Sequence, residues 1–489
     1  MMEEIFGREP EKEKLKRLLI SAKSELLAVY GRRRVGKTYL IREYFKGQGI
    51  FFELTGIYKG KTADQLRRFP EAFYEAFPSQ EEVGIPKDWK EAFDVLKKRI
   101  DQEPQEQKII LFLDELPWLA ANRPELLMSL EHAWNRYLSR KKNVIMVLCG
   151  SAASWMVKKI VNNSGGLYGR LTERIHLKPL TLLETEKFLA RRDIHLERKQ
   201  LVEVYMSIGG IPKYLDHIPK GMSASQIIQS LCFSSGGFLN TEFRSLFEAL
   251  FGSHKHHISV IEALSASPQG LTYKQLTKSV QLTSGGQLSD TIDDLEASGF
   301  IGVMPFFGRK KQTERYRITD EYTLFHLAWI KDALFHHEKP ITANYWQSVQ
   351  QSQKYNIWAG YSFENLCFKH IESIVEALKI SVVARSASYW AHYPKAGDDM
   401  PGAQIDLIID RADRTMNLCE MKFANAPCVV TKDYALKMNQ KRSIFQMLSK
   451  SKKALFNVLI SPYGAAENAS YHSAFDQQLT LDALFHPIL

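Results

Sequence analysis

The first half of the chain alternates short, unbroken apolar runs with stretches whose apolar residues recur at helical spacing. The runs at 25–30, 50–54, 108–113 and 143–149 are too short for helices and are apolar on both faces. They predict strands buried in a parallel sheet. Residues 10–20, with Leu15, Leu18 and Leu19 on one face, and residues 63–77 and 88–100 predict amphipathic helices between them. A further strand is expected at 175–177. This β-α alternation predicts an α/β domain. Beyond it, Thr181 and Glu184 form a capping-box helix start, and Gly209-Gly210 marks a turn in a small helical region.

The pattern then changes twice. Expected helices at 257–265, 273–280 and 286–297, followed by strand-like pieces at 300–306 and 315–318, predict a winged helix-turn-helix. After a connector, a helix at 361–377 precedes strand-like runs at 380–393, 404–410 and 417–423. A helix at 433–448 and a strand at 454–461 follow, giving the order αβββαβ. The whole is expected to be a multidomain α/β protein. Its expected pieces are a parallel-sheet domain at 1–180, a small helical region at 181–252, the winged helix at 253–335 and, at 336–489, a unit with the αβββαβ order of restriction-endonuclease-like cores.

Composition narrows the setting. At 489 residues the chain is too long for one core. The formal net charge of +10 favours a polyanionic partner, DNA first. The five cysteines are far apart and never spaced as CxxC, which points to a reducing cytosol and away from a zinc site. The first residues lack the basic and apolar regions of a signal peptide, and no uncharged apolar run is long enough to span a bilayer. A cytoplasmic protein without a membrane partner is therefore expected.

The chemistry of the first domain centres on Gly31-Arg32-Arg33-Arg34-Val35-Gly36-Lys37-Thr38, a GxxxxGKT loop between a strand and a helix. Gly31 and Gly36 let backbone amides wrap around phosphates, Lys37 adds a charge at the β/γ-phosphates, and the Thr38 hydroxyl is placed to ligate Mg2+. The helix N-terminus faces the same anion. A basic surface turn is the alternative. The run ending in Asp114-Glu115 supplies a Mg2+-holding Asp114 and a Glu115 that orients and deprotonates water. The alternative is a strand stopped by a solvated acidic turn. Ser151, at the end of another buried strand, sits where a γ-phosphate is sensed. Arg170 or Arg174 is either an arginine finger, in cis or from a neighbouring copy, or a surface arginine.

In the last domain Asp406 lies inside an apolar strand, and Glu420 and Lys422 alternate with Cys419, Met421 and Phe423 on one face. Were the hairpin to pair Asp406 near Lys422, Asp406 and Glu420 would bind Mg2+, Lys422 would handle the attacking water, and Glu364 would add a carboxylate. A solvated Glu–Lys sheet edge is the alternative, against which stands the cost of burying the charge of Asp406. In the winged helix, Asp290, Asp293, Asp294 and Glu296 would repel phosphates, and only the tip at Arg309, Lys310 and Lys311 is basic. DNA docking and protein packing both remain open there.

FGRE, YGRRRVGKT, FLDE, CGS, LYGR and GGIPKYL occur in this order over about the first half of the chain. In this the sequence resembles the archaeal-type P-loop ATPases, relatives of AAA+ and STAND NTPases also found in bacteria. The resemblance implies ATP and Mg2+ as cofactors. It places residues 6–9 near the adenine, Pro212 in the lid and Arg170 at a finger position. The C-terminal part resembles the PD-(D/E)xK nuclease-like domain often fused to such ATPases, through Trp358, Gly360, Phe363 and Glu364, the Asp406 strand and Glu420-x-Lys422. It departs from that pattern at Ile405, where a proline is usual. The reading is an ATPase whose nucleotide state controls a Mg2+-dependent DNA nuclease, working as a homo-oligomer if the finger acts in trans. A non-cutting regulatory switch and a scaffold ATPase are the alternatives.

Overall fold

The computed structural model describes residues 5–487 except 79–82, 122, 163–166, 168, 252–253, 281–284, 309–313, 336–341, 343 and 395–399. Arg309, Lys310 and Lys311, expected at a wing tip, and part of the connector expected before residue 355 lie outside the described residues. The chain divides into two compact units. One holds residues 1–179, 245–254 and 293–299, and the other holds 180–244, 255–292 and 300–489.

The first unit is built on five parallel strands: β1 (Glu25–Tyr30), β2 (Ile50–Thr55), β3 (Ile109–Asp114), β4 (Val144–Gly150) and β5 (Glu173–His176). Their order is β2-β3-β4-β1-β5. β3 and β4 are buried along their whole length, which explains their lack of polar alternation. The helices Lys37–Phe45, Trp89–Gln102 and Glu125–Arg136 supply Leu40, Phe93, Leu96 and Leu130 to the buried apolar core. All five strands end at the same edge of the sheet, where the loops after β1, β3 and β4 meet.

The second unit contains helices Leu182–Ala190 and Arg198–Ile208, and a small antiparallel pair, β6 (Ile301–Met304) and β7 (Arg315–Ile318). Helices Lys255–Ser265, Tyr273–Ser279 and Gly285–Ala297 precede that pair. A five-stranded sheet follows: β8 (Ala384–His392), β9 (Ala403–Arg411), β10 (Thr415–Met421), β11 (Ala454–Ile460) and β12 (Gln477–Leu479), in the order β12-β11-β10-β9-β8. β8, β9 and β10 are antiparallel, whereas β10, β11 and β12 are parallel. The helix Lys432–Ser449 makes the crossover that parallel pairing requires.

Several local expectations change, and the helix expected at 63–77 is two short ones, Thr62–Leu66 and Phe69–Ala76. The single helix at 361–377 is two helices, Gln353–Lys369 and Ile371–Ala377. The first starts earlier because the Ser352 hydroxyl caps it by accepting from the Tyr355 amide at 3.1 Å. The break falls at His370, whose buried ring accepts from the Leu182 amide through Nε2 at 3.1 Å and lies 2.9 Å from the Leu366 carbonyl through Nδ1. The pairing of Asp406 also differs. The β9–β10 register runs from Asp410 opposite Met416 to Leu407 opposite Cys419. One step further puts Asp406 opposite Glu420, not Lys422.

Candidate functional site

The loop after β1 is a bent cradle. Gly31 and Gly36 take φ of 145° and 94°, and Arg34 takes 71°. A side chain at Gly31 would bring its Cβ to 2.3 Å from the Leu177 carbonyl oxygen, so only glycine fits there. Gly31→Ala is therefore expected to distort the loop, lower the melting temperature of the protein and abolish ATP binding, measured by thermal shift with and without nucleotide. The loop is held from beneath. Lys37 is buried, and its Nζ donates to the carbonyls of Gly31 at 3.0 Å and Arg32 at 2.9 Å. The Arg8 guanidinium donates to the Val35 carbonyl at 3.3 Å. Arg8 thus touches the backbone of the loop, a role that its place in FGRE did not disclose.

Arg32, Arg33 and Arg34 differ in placement. Arg32 is buried, whereas Arg33 is half-buried with its guanidinium 6.0 Å from the Trp118 ring centroid. Val35 is buried in the core. Thr38 lies one residue into the helix Lys37–Phe45, and its Oγ1 donates to Asp114 Oδ2 at 2.8 Å. The other Asp114 oxygen accepts from the Glu115 amide at 3.0 Å. Glu115 sits in the left-handed region, φ 47°, which turns its side chain across the strand ends. Its Oε2 accepts from the Ser151 amide at 3.1 Å and from the Ser151 hydroxyl at 2.8 Å. Lys37, Thr38, Asp114, Glu115 and Ser151 thus stand together where β1, β3 and β4 end.

A Thr hydroxyl and a carboxylate in contact are the hard oxygen donors that Mg2+ takes beside phosphates. Loop amides, a lysine and the Thr38–Asp114 pair therefore fit an ATP–Mg2+ complex. Arg170 is exposed on the surface of the same unit, with its backbone amide bonded to the Leu167 carbonyl. Pro212 opens the short helix Pro212–Leu215 in the second unit.

Comparison with known proteins identifies part of the chain. Residues 5–218 match the model of an ATPase domain found predominantly in Archaea. Over this stretch the chain is similar to that domain. An uncharacterized protein of Methanocaldococcus jannaschii is 23% identical over 419 residues, which cover 85% of this chain and 87% of that protein. The likeness thus extends beyond the ATPase domain. Among solved structures, the Walker-type ATPase of Pyrococcus abyssi is 17% identical with a TM-score of 0.46, covering 66% of this chain and 96% of that one. The ORC2 protein of Aeropyrum pernix is 16% identical with a TM-score of 0.42, covering 72% and 97%. The side chains of the ATPase domain gathered at its strand ends are those of the loop, of Asp114-Glu115 and of Ser151. No helix among the described residues is long and apolar enough to cross a membrane.

The second unit holds a carboxylate cluster. Asp406 on β9, Glu420 on β10 and Glu364 on the helix Gln353–Lys369 are all partly buried in the unit. Asp406 Oδ2 accepts from the Met421 amide at 3.0 Å, and Oδ1 accepts from Gln404 at 3.2 Å. Glu420 pairs with Lys441 at 2.7 Å and accepts from the Tyr434 hydroxyl at 3.4 Å. Glu364 pairs with Arg317 at 3.5 Å. Lys422 lies just past β10 and is exposed, with Nζ 4.8 Å from the Tyr434 ring centroid. Its side chain reaches over Tyr434, while Lys441 takes the Glu420 carboxylate.

Burial and then the charge of Asp406 push the Glu364 carboxyl up to about 8, against the pull of Arg317. Burial and Asp406 likewise raise Glu420 to about 7, against Lys441. Burial also raises Asp406, which its bond from the Met421 amide opposes. Three carboxylates suit a hard divalent cation in their chemistry. Their arrangement does not complete the fit, since no group of three or more His, Cys, Asp or Glu side chains among the described residues is set to hold a metal. Tyr434 and Lys441 were legible in principle, because residues seven apart share a face of a helix. Arg317 carried no such signal.

Asp294, grouped with the first unit, accepts from the Ser154 hydroxyl and from Lys158 at 3.1 Å. That carboxylate is engaged by protein.

Proposed function

We propose that this protein is an ATP-hydrolysing switch whose nucleotide state controls a nucleic-acid-cutting second unit. The observation that carries the reading is the meeting of Lys37, Thr38–Asp114 and Glu115–Ser151 at one edge of a parallel sheet. In this reading the loop amides and Lys37 bind the phosphates of ATP. Thr38 and Asp114 would hold Mg2+, which would supply neutralisation of the phosphate charge. Glu115 takes the proton of the attacking water, and Ser151 holds that carboxylate in place until the γ-phosphate competes for the serine. Pro212 belongs to the lid, and Arg170 is an arginine finger, offered to a second copy of the chain. The three helices and strand pair within 255–318 form a winged helix-turn-helix, and the unit acts in the cytoplasm.

In the second unit Asp406, Glu420 and Glu364 would be the oxygen donors to the cation of a nuclease site once the ion pairs on Glu364 and Glu420 give way. Lys441 is the lysine poised on Glu420, with Lys422 at the rim. The net charge of +10 supports a nucleic-acid partner, DNA before RNA. A non-cutting regulator is the second reading. It is favoured by the ion pairs that already occupy Glu364 and Glu420.

The readings separate on plasmid and single-stranded DNA incubated with Mg2+ or Mn2+, with and without ATP. Cleavage that disappears in Glu420→Ala, and loses its ATP dependence in Lys37→Ala, supports the nuclease. Binding without cleavage under every metal supports the regulator. Within the nuclease reading, Lys441→Ala is expected to reduce cleavage roughly a hundredfold and Lys422→Ala less than about tenfold. Equal losses, or the reverse order, would return the role to Lys422.

A further inference from the structure

We infer that Arg317 is a built-in counter-ion that closes the carboxylate cluster to a divalent cation, and that the β6–β7 pair is the latch that carries it. The inference rests on the reading of that cluster as a cation-dependent nuclease site. Arg317 belongs to β7, outside the five-stranded sheet, yet its side chain is only 7% exposed and reaches Glu364. Its charge also bears on Asp406. Burying a guanidinium is costly unless carboxylates compensate it. Its placement is thus tied to the cluster.

The latch is fastened at both ends. Beside Arg317, the Ile318 carbonyl accepts from Asn365 at 3.1 Å, and Glu321 pairs with Lys369 at 2.6 Å. Positions 317, 318 and 321 therefore grip 364, 365 and 369 of one helix. At the other end, the chain after β6 adds to the edge of the sheet. The Tyr389 amide donates to the Pro305 carbonyl and the Phe307 amide donates to the Tyr389 carbonyl, each at 2.9 Å. The Phe306 ring packs on Tyr389 at 5.1 Å and Phe307 on Phe445 at 5.3 Å. The pair thus stays seated while Arg317 fills the place of an external cation.

With Arg317 on Glu364 and Lys441 on Glu420, a divalent ion must first displace a buried positive charge. This accounts for carboxylates of the right chemistry that make no metal group among the described residues. The site opens when β7 moves off the helix Gln353–Lys369.

The test is Mn2+ binding by the full chain at pH 8 without nucleotide, read by the paramagnetic resonance of free Mn2+. Arg317→Met keeps the length and packing of the side chain and removes its charge. It is expected to bind one Mn2+ at least tenfold more tightly than the wild type, and adding Asp406→Asn should abolish the gain. Asn365→Ala with Lys369→Ala loosens the latch without touching the cluster and should give a smaller gain. In the wild type, saturating Mn2+ should speed hydrogen exchange at amides 315–318. Unchanged affinity in both variants, with unchanged exchange, overturns the latch. Tighter Mn2+ binding by Arg317→Met without any DNA cleavage leaves the latch standing and removes the nuclease reading. Wild-type cleavage with no gain in Arg317→Met does the reverse.

Discussion

Glu115→Gln is expected to lower ATP turnover at least about a hundredfold while ATP remains bound. The carboxylate is fixed by two bonds from Ser151, through its amide and its hydroxyl. An amide side chain can still accept through one oxygen, so the fold of the site survives. It cannot take a proton from water, so hydrolysis suffers. Ser151→Ala should cost less, because the hydroxyl only steers Glu115 and the backbone amide bond remains. Lys37→Ala should differ in kind: it removes the charge that meets the phosphates, so binding itself falls. Phosphate release together with titration of a fluorescent ATP analogue separates the three. Turnover of Glu115→Gln at the wild-type rate would remove Glu115 from the chemistry.

The second large effect is a loss of stability of the second unit as pH rises from about 5 to 8. Glu364 and Glu420 are pushed up to about 8 and about 7 from an ordinary value of 4.5. Between those limits the folded state holds protons that the unfolded chain has released. Stability is therefore fully present below the ordinary value and is lost as pH passes through the raised ones. For Glu420 taken alone the change is roughly 3 kcal/mol. Urea midpoints at pH 5, 6.5 and 8 should fall in the wild type, and the slope should flatten in Glu364→Gln. A midpoint that holds steady or rises would mean that Arg317 and Lys441 keep the cluster fully ionised.

The gathering of side chains at the strand ends of the first unit was largely legible because those residues are local in sequence. A glycine loop, a lysine and a threonine follow one another, and a parallel sheet needs only its strand ends aligned to bring Asp114, Glu115 and Ser151 beside them. Even so, neither the bond from Ser151 to Glu115 nor the Arg8 contact to the loop follows from spacing. The carboxylate cluster was less legible. Strand alternation put Glu420 and Lys422 on one face, but alternation does not fix register, and a two-residue shift, which keeps that face, exchanges the residue facing Asp406. The ion pairs were beyond reach, because Lys441 lies 21 positions from Glu420 and Arg317 lies 47 from Glu364.

The parallel sheet, its glycine loop and the acidic strands near the C-terminus were readable from the sequence alone. These follow from apolar period, glycine and charge, which act over a few residues. Tertiary structure decided which cation each acid received. It set Asp406 against Glu420, gave Glu420 to Lys441 and sent Arg317 to Glu364. The physical reason is that burial makes each charge seek compensation from whatever packing brings near, and packing joins residues that sequence keeps apart.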